Sequence, residues 1–174
     1  MKNFFVNLLN KFEDALFVNY KCIFCARETP NESLVCDTCA NEVTFLNGFV
    51  CGKCGSPTIE PETLCPNCFN RDYKFDCHRS CIIYDDLSGS AVKAFKYSGK
   101  KYLADPIARF MFVVHKDLIE HADILTFVPM TKEKMENRGY NHMEEVVNII
   151  SKISGVPVIS CFDKVRDTED QASL

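Results

Sequence analysis

The sequence predicts an α/β protein preceded by an N-terminal helix and a cysteine-built ribbon module. Three observations carry this. An apolar stripe at helical spacing opens the chain. Four Cys-x-x-Cys pairs then recur at fixed spacing between Cys22 and Cys68. Strand, helix and strand follow one another over about 35 residues near the end, a βαβ unit that implies a parallel sheet with a right-handed crossover. The expected divisions are residues 1–19 for the helix, 20–78 for the ribbons and 79–174 for the α/β part.

The opening helix rests on Phe4, Phe5, Leu8, Leu9, Phe12, Leu16 and Phe17, with Asn7, Asn10, Lys11 and Asp14 on the other side. Its polar face has too few Lys and Arg for a membrane-surface helix, so packing against the neighbouring module is expected. The run lacks an unbroken apolar core and a small-residue cleavage site, so it does not read as a signal peptide. No apolar stretch reaches bilayer-spanning length. A cytoplasmic location is therefore expected, where thiols stay reduced and paired cysteines point to metal before disulfides.

The 174 residues carry 20 Lys and Arg against 24 Asp and Glu, a formal charge of −4. Residues 1–81 hold 8 basic and 10 acidic side chains, and residues 82–174 hold 12 and 14. Neither half has the cationic surplus that coating of nucleic acid by phosphate neutralisation requires.

Ten of the 11 cysteines lie between Cys22 and Cys81, and Cys161 stands apart. Cys22/Cys25, Cys36/Cys39, Cys51/Cys54 and Cys65/Cys68 form two copies of Cys-x₂-Cys-x₁₀-Cys-x₂-Cys, a 29-residue repeat. Two such knuckles place four thiolates around one tetrahedral Zn²⁺ at about 2.3 Å. Gly52, Gly55 and Pro66 supply turn chemistry beside the sulfurs. The redox alternative needs a Cys-x-x-Cys opening a helix, and no pair reads that way. Two structural Zn²⁺ ions in a double zinc ribbon follow, closed to water because sulfur fills every position. Sequential sharing of a metal closes the shorter loops, while a cross-braced arrangement (first pair with third, second with fourth) fits the spacing too. Cys77, His78 and Cys81 are spare and read as structural.

Beyond Arg79, residues 80–84 read as a strand and Ser90–Tyr97 as a helix broken by Ser98-Gly99. Tyr102–Glu120 reads as a second helix with Pro106 in its first turn. Residues 124–129 form a nearly continuous apolar strand of the kind buried on both faces. A charged helical turn leads to Arg138-Gly139-Tyr140. Asn141 with Glu144 then makes a capping-box-like helix start, with Met143, Val146, Val147, Ile150 and Ile153 as the inward stripe and Gly155 as the stop. Residues 156–159 return as a strand.

Taken in order, the ribbon, Ile82-Ile83-Tyr84, Ala94-Phe95-Lys96-Tyr97-Ser98-Gly99-Lys100, Phe127-Val128-Pro129-Met130, Asn137-Arg138-Gly139-Tyr140-Asn141-His142 and Arg166-Asp167-Thr168 with Gln171 resemble the ComF/GntX family. The resemblance implies a double zinc ribbon ahead of a type I phosphoribosyltransferase-like parallel sheet. It also implies a link to competence and uptake of transforming DNA and, for the complete family fold only, binding of phosphoribosyl pyrophosphate with Mg²⁺. It gives substrate-contacting roles to Lys96, Arg138, Gly139, Tyr140, Asn141, Arg166 and Gln171. Arg138 and the backbone at Gly139 would lie in a loop over the pyrophosphate, a role the planar guanidinium suits. The residue-level alternative for Arg138-Gly139 is a helix C-terminus with glycine at C′. His142 stands where the family commonly has Gln.

The family's later strand, acidic pair and Thr-Thr-Gly phosphate turn do not follow Gln171, so the α/β domain is expected to be incomplete and this chain alone inactive as a transferase. Asp85-Asp86-Leu87-Ser88-Gly89-Ser90 imitates that turn upstream, but an ordinary helix start capped by Ser88 or Ser90 is the favoured reading. Lys93, Lys96, Lys100 and Lys101 form a basic stripe, read as a solvated helix face. The alternative function is a non-catalytic zinc-ribbon adaptor for competence-machinery proteins, or a single-stranded DNA-binding module.

Overall fold

The computed structural model describes residues 21–29, 33–46, 48–61 and 63–165. The helix expected over residues 1–19, together with Arg166 and Gln171, lies outside the described residues.

The 29-residue repeat in sequence is a repeat in backbone. Each copy opens with a tight turn closed by one antiparallel bridge, Lys21 with Glu28 and Val50 with Pro57. The same hydrogen bonds recur, Cys22 N–H to Arg27 O and Cys51 N–H to Ser56 O, both 2.8 Å. The turn needs a left-handed residue at one position, Ala26 (φ 59°) in the first copy and Gly55 (φ 71°) in the second. The second knuckle of each copy opens a short helix, α1 (Asp37–Glu42) and α2 (Pro66–Phe69), with Cys36 and Cys65 at the N-caps. This differs from the expectation that no pair opens a helix. The cap sulfurs are free to turn toward their partners because neither makes a capping hydrogen bond.

The expected strand over 80–84 reduces to the bridge between Phe45 and Ile82, flanked by Leu46 N–H to Cys81 O (3.1 Å) and Ile83 N–H to Thr44 O (2.9 Å). Helix α3 (Asp86–Tyr97) then begins earlier than its apolar spacing suggests, because Asp85 rather than Ser88 or Ser90 is the N-cap. Asp85 accepts from Ser88 N–H, and Ser88 Oγ accepts from Asp85 N–H, both at 2.8 Å. Ser88 is fully buried in this box and also donates to Ile83 O. The acidic pair is therefore a helix start.

A 3₁₀ turn (Lys101–Leu103) leads into α4 (Ala104–Val114) and α5 (Lys116–Glu120), two helices where one was expected, separated at His115. Helix α6 (Lys132–Arg138) is capped by Thr131, and α7 (His142–Ser154) by Asn141, whose Oδ1 accepts from Met143 N–H (3.0 Å) and Glu144 N–H (3.4 Å). Helices α4 and α7 pack on one another, and Phe95, Leu103, Ala104, Ala108, Val146 and Ile150 form the core between them and α3. Burying each large member of that set contributes about 1.5–3 kcal/mol.

The expected α/β architecture is not what forms. Among the described residues there is no strand and no parallel sheet; isolated bridges stand in their place. The βαβ unit survives only as the parallel bridge of Leu125 with Val158, through Leu125 N–H to Pro157 O (2.8 Å) and Ile159 N–H to Leu125 O (2.9 Å). Parallel pairs persist where both faces are covered. Here Leu125 packs on the helical core and Val156 is buried, whereas Ile124, Val128 (75% exposed) and Ile159 lie open. The apolar runs expected as strands meet only at that single bridge, their outer faces being left uncovered among the described residues. Among the described residues no helix is long and apolar enough to cross a membrane.

Candidate metal centres

Two groups of four sulfurs form, Cys22/Cys25/Cys36/Cys39 and Cys51/Cys54/Cys65/Cys68, each with its atoms within 4.8 Å of one another. The pairs are shared sequentially, and the cross-braced alternative is excluded by that grouping. Cys25 and Cys36 Sγ stand 3.7 Å apart, and Cys54 and Cys65 Sγ 3.6 Å. A tetrahedral Zn²⁺ with sulfurs at about 2.3 Å requires edges of about 3.8 Å. The donor set and its spacing fit zinc.

Electrostatics explain why the thiols need a cation. Burial pushes the Cys25 thiol up, but hydrogen bonds from the Arg27 side chain and backbone and from Cys39 and Cys22 outweigh it and leave the pKa at about 6. Backbone N–H groups of Cys54 and Cys65 lower Cys51 to about 6, the second seen as Cys65 N–H to Cys51 Sγ at 3.3 Å. The opposite holds for the last cysteine of each tetrad. Burial, reinforced by the neighbouring sulfurs, raises Cys39 and pushes Cys68 up to about 12. Four thiolates cannot share so small a space unless a dication balances them, and metal binding then releases the remaining protons.

The sulfurs have polar neighbours that sequence reading missed. Arg27 Nε donates to Cys25 Sγ at 3.2 Å, and Ser56 Oγ lies 3.2 Å from Cys54 Sγ. The register of the repeat was the available signal, since residues 27 and 56 occupy the same place in the two copies. His78 and Arg79 clamp the second ribbon: His78 N–H donates to Lys53 O (2.7 Å), the His78 ring nitrogen Nδ1 meets Cys54 O (3.0 Å), and Arg79 donates to Gly52 O (3.1 Å). A side chain at Gly55 would lie 2.6 Å from His78 O. Cys77, His78 and Cys81 stand outside both tetrads, and burial lifts the Cys81 thiol to about 11. Beside the second tetrad a groove of about 410 Å³ opens, lined by Pro57, Ile59, Leu64 and Pro66 among others.

Some of the substrate-assigned residues come together, and others lie elsewhere. Tyr140 donates its hydroxyl to Phe95 O (3.1 Å), which joins the end of α3, where Lys96 sits, to the turn at Gly139 and Asn141. Lys101 adds an ion pair to Glu145 (2.8 Å) and lies 5.9 Å from the Tyr140 ring. Phe95 meets His142 edge-on at 5.7 Å. Gly139 is the left-handed C-cap of α6 (φ 80°), its N–H bonded to Met135 O, so the Arg138-Gly139 backbone forms a helix C-terminus. Arg166 and Gln171 lie outside the described residues.

Comparison with known proteins agrees with this geometry. A family model described as a double zinc ribbon domain matches residues 12–71. The chain is similar to the competence protein ComFC of Bacillus subtilis (strain 168), 23% identical over 149 residues and covering 82% of this chain. The chain spans 60% of that relative's length. No solved structure shows a significant match. The comparisons thus place a double zinc ribbon domain in the first part of this chain and a likeness to a competence protein across most of its length.

Proposed function

We propose that this chain serves the competence-linked handling of DNA and that Cys22, Cys25, Cys36 and Cys39, and Cys51, Cys54, Cys65 and Cys68, each hold one structural Zn²⁺. The sulfur spacing supports the metal assignment, and the ComFC relative supports the competence role. With all four positions filled by sulfur, the zinc carries no water to activate and contributes folding free energy instead. Phosphoribosyl pyrophosphate, with Mg²⁺, would be taken where the end of α3 meets the α6–α7 turn. Lys96, Gly139, Tyr140 and Asn141 are gathered there by the Tyr140–Phe95 hydrogen bond. The guanidinium of Arg138 would grip phosphate oxygens, and Arg166 and Gln171 would contribute from the segment that follows.

The test is genetic and biochemical together. Deleting the gene in a transformable host should lower transformation frequency. The wild-type copy should restore it, and Cys39→Ser or Cys68→Ser should not. Unchanged transformation in the deletion would end the competence reading. Titration with phosphoribosyl pyrophosphate of the purified protein extended to carry the family's later phosphate turn should release heat that Arg138→Ala abolishes; a silent extended wild type would remove the ligand assignment.

A single-stranded DNA-binding role is the second reading, favoured by one surface. The Tyr73 and Phe75 rings lie 5.2 Å apart at 30°, Lys53 Nζ sits 5.4 Å from the Phe75 ring, and Arg71 reaches the Tyr73 hydroxyl at 3.5 Å. Aromatic faces next to cations take stacked bases and backbone phosphates. Anisotropy of a labelled oligothymidine separates the readings: binding that weakens with salt and is lost in Tyr73→Ala with Phe75→Ala supports this one.

A further inference from the structure

The two tetrads share ligand type, ligand spacing and backbone, so any difference between them must come from what surrounds the sulfurs. Two differences are on the molecule. In the first tetrad a guanidinium donates to Cys25 Sγ, whereas at the same repeat position the second tetrad has only the Ser56 hydroxyl. A charge-assisted hydrogen bond is roughly twice as strong as a neutral one, and the cation offsets part of the −2 charge of a four-thiolate zinc centre. Electron density drawn toward Arg27 also makes the Cys25 sulfur a poorer nucleophile. Finally, the first ribbon is braced by Phe45 against Phe110 of α4 (6.0 Å) and by Lys21 over Tyr102 of the preceding 3₁₀ turn (5.3 Å), whereas Phe49, Ile59, Leu64 and Phe69 of the second are exposed. Units with few buried contacts open at lower free energy.

We infer that the two zinc centres are unequal: the Cys51/Cys54/Cys65/Cys68 centre is the one that peroxide opens first, releasing its Zn²⁺ while the Cys22/Cys25/Cys36/Cys39 centre stays closed. This rests on the reading that both tetrads hold zinc. The step balances with hydrogen peroxide as oxidant. Cys54 and Cys65 thiolates, 3.6 Å apart, give up two electrons and form one S–S bond. The O–O bond breaks and its oxygens leave as two hydroxides. Zn²⁺ departs because two of its four ligands are gone, and reduction of the disulfide restores the site.

The experiment uses the full zinc-loaded chain, with elemental analysis first, then dilute hydrogen peroxide and a colorimetric zinc chelator. Samples taken during release are trapped with N-ethylmaleimide and mapped by peptide mass spectrometry. The expected result is two equivalents of zinc at the start, released in two phases of one equivalent each. The disulfide of the first phase should lie between Cys54 and Cys65. Arg27→Ala should accelerate the slow phase by about tenfold, the scale on which outer partners of metal ligands act. Ser56→Arg, which changes only the second ribbon, should slow the fast phase and keeps the test open where the first variant fails to fold. A single phase, a first phase mapped to Cys25 and Cys36, or phases indifferent to both substitutions would overturn the inference. Fewer than two equivalents at the outset would instead sink the underlying zinc reading, and the inference with it.

Discussion

The first and second ribbons are copies of one module, yet one is built into the molecule and the other stands out from it. Their cysteines fall at matching positions of the repeat, and their turns make matching hydrogen bonds. They diverge at the positions that face away from the sulfurs. Ile23, Val43 and Phe45 of the first copy correspond to Gly52, Asp72 and Lys74 of the second. Ile23 and Val43 are buried at 5% exposure, and Phe45 reaches both Phe24 and Phe110. Among the described residues the second copy keeps no such anchor; hydrogen bonds from the His78 backbone N–H and the Arg79 guanidinium to its carbonyls hold it instead. The difference teaches that ligand spacing builds a metal site wherever it occurs, while docking is decided by a few apolar residues between the ligands.

The largest expected effect comes from removing one sulfur in each copy. Either Cys39→Ser or Cys68→Ser should cost that ribbon its metal and so about 10 kcal/mol or more of folding free energy, seen as one zinc equivalent where wild type has two. Circular dichroism then divides the two. Cys39→Ser should also lower the melting temperature of the helices, because the ribbon that braces α4 is lost, whereas Cys68→Ser should leave it nearly unchanged. Equal effects on the helices would break the asymmetry.

A smaller effect isolates the anchor. Phe45→Ala removes a half-buried ring from the Phe24–Phe45–Phe110 contact and should destabilise by about 2 kcal/mol in urea titration. Its repeat counterpart Lys74→Ala, on an exposed side chain paired with Asp72, should stay within about 0.5 kcal/mol. A ratio near one would mean that Phe45 is not the docking residue.

The smallest effect lies at the junction of the second ribbon with the helices. His115, between α4 and α5, has a buried Nε2 with no hydrogen-bond partner among the described residues. Its pKa is lowered by burial first and by the positive charges of Arg79 and His78 second. The unfolded chain therefore binds a proton more readily than the folded one. The contribution of neutral His115 is full above the unfolded value of about 6.5 and is lost as pH falls through the lower folded value. Thermal melts should drop over that window in wild type more than in His115→Gln, and identical pH profiles would remove His115 from the junction.

Most of the metal half was legible because its physics is local. Cys-x-x-Cys fixes two sulfurs on one turn, and ten intervening residues bring two turns together, so eight ligands could be named from spacing alone. The apolar period and the caps at Asn141 and Gly155 likewise placed α7, because helix signals act over a few residues. The misreadings fall where distant segments had to cooperate. A serine was expected to cap α3, but Asp85 does so because Ser88 is drawn inward to bond Ile83 O.

What the sequence determined by itself was therefore chemistry held within a turn or a helix: the sulfur count, the repeat that spaces the sulfurs, the helical stripes. Tertiary structure decided which pairs share a site, that Phe45 finds Phe110, and that the two apolar segments near the end make one bridge in place of a sheet. The reason is range. Ligand geometry and helix periodicity are satisfied by neighbours along the chain, whereas a parallel ladder depends on partners and covering layers far away in sequence, which local patterns do not specify.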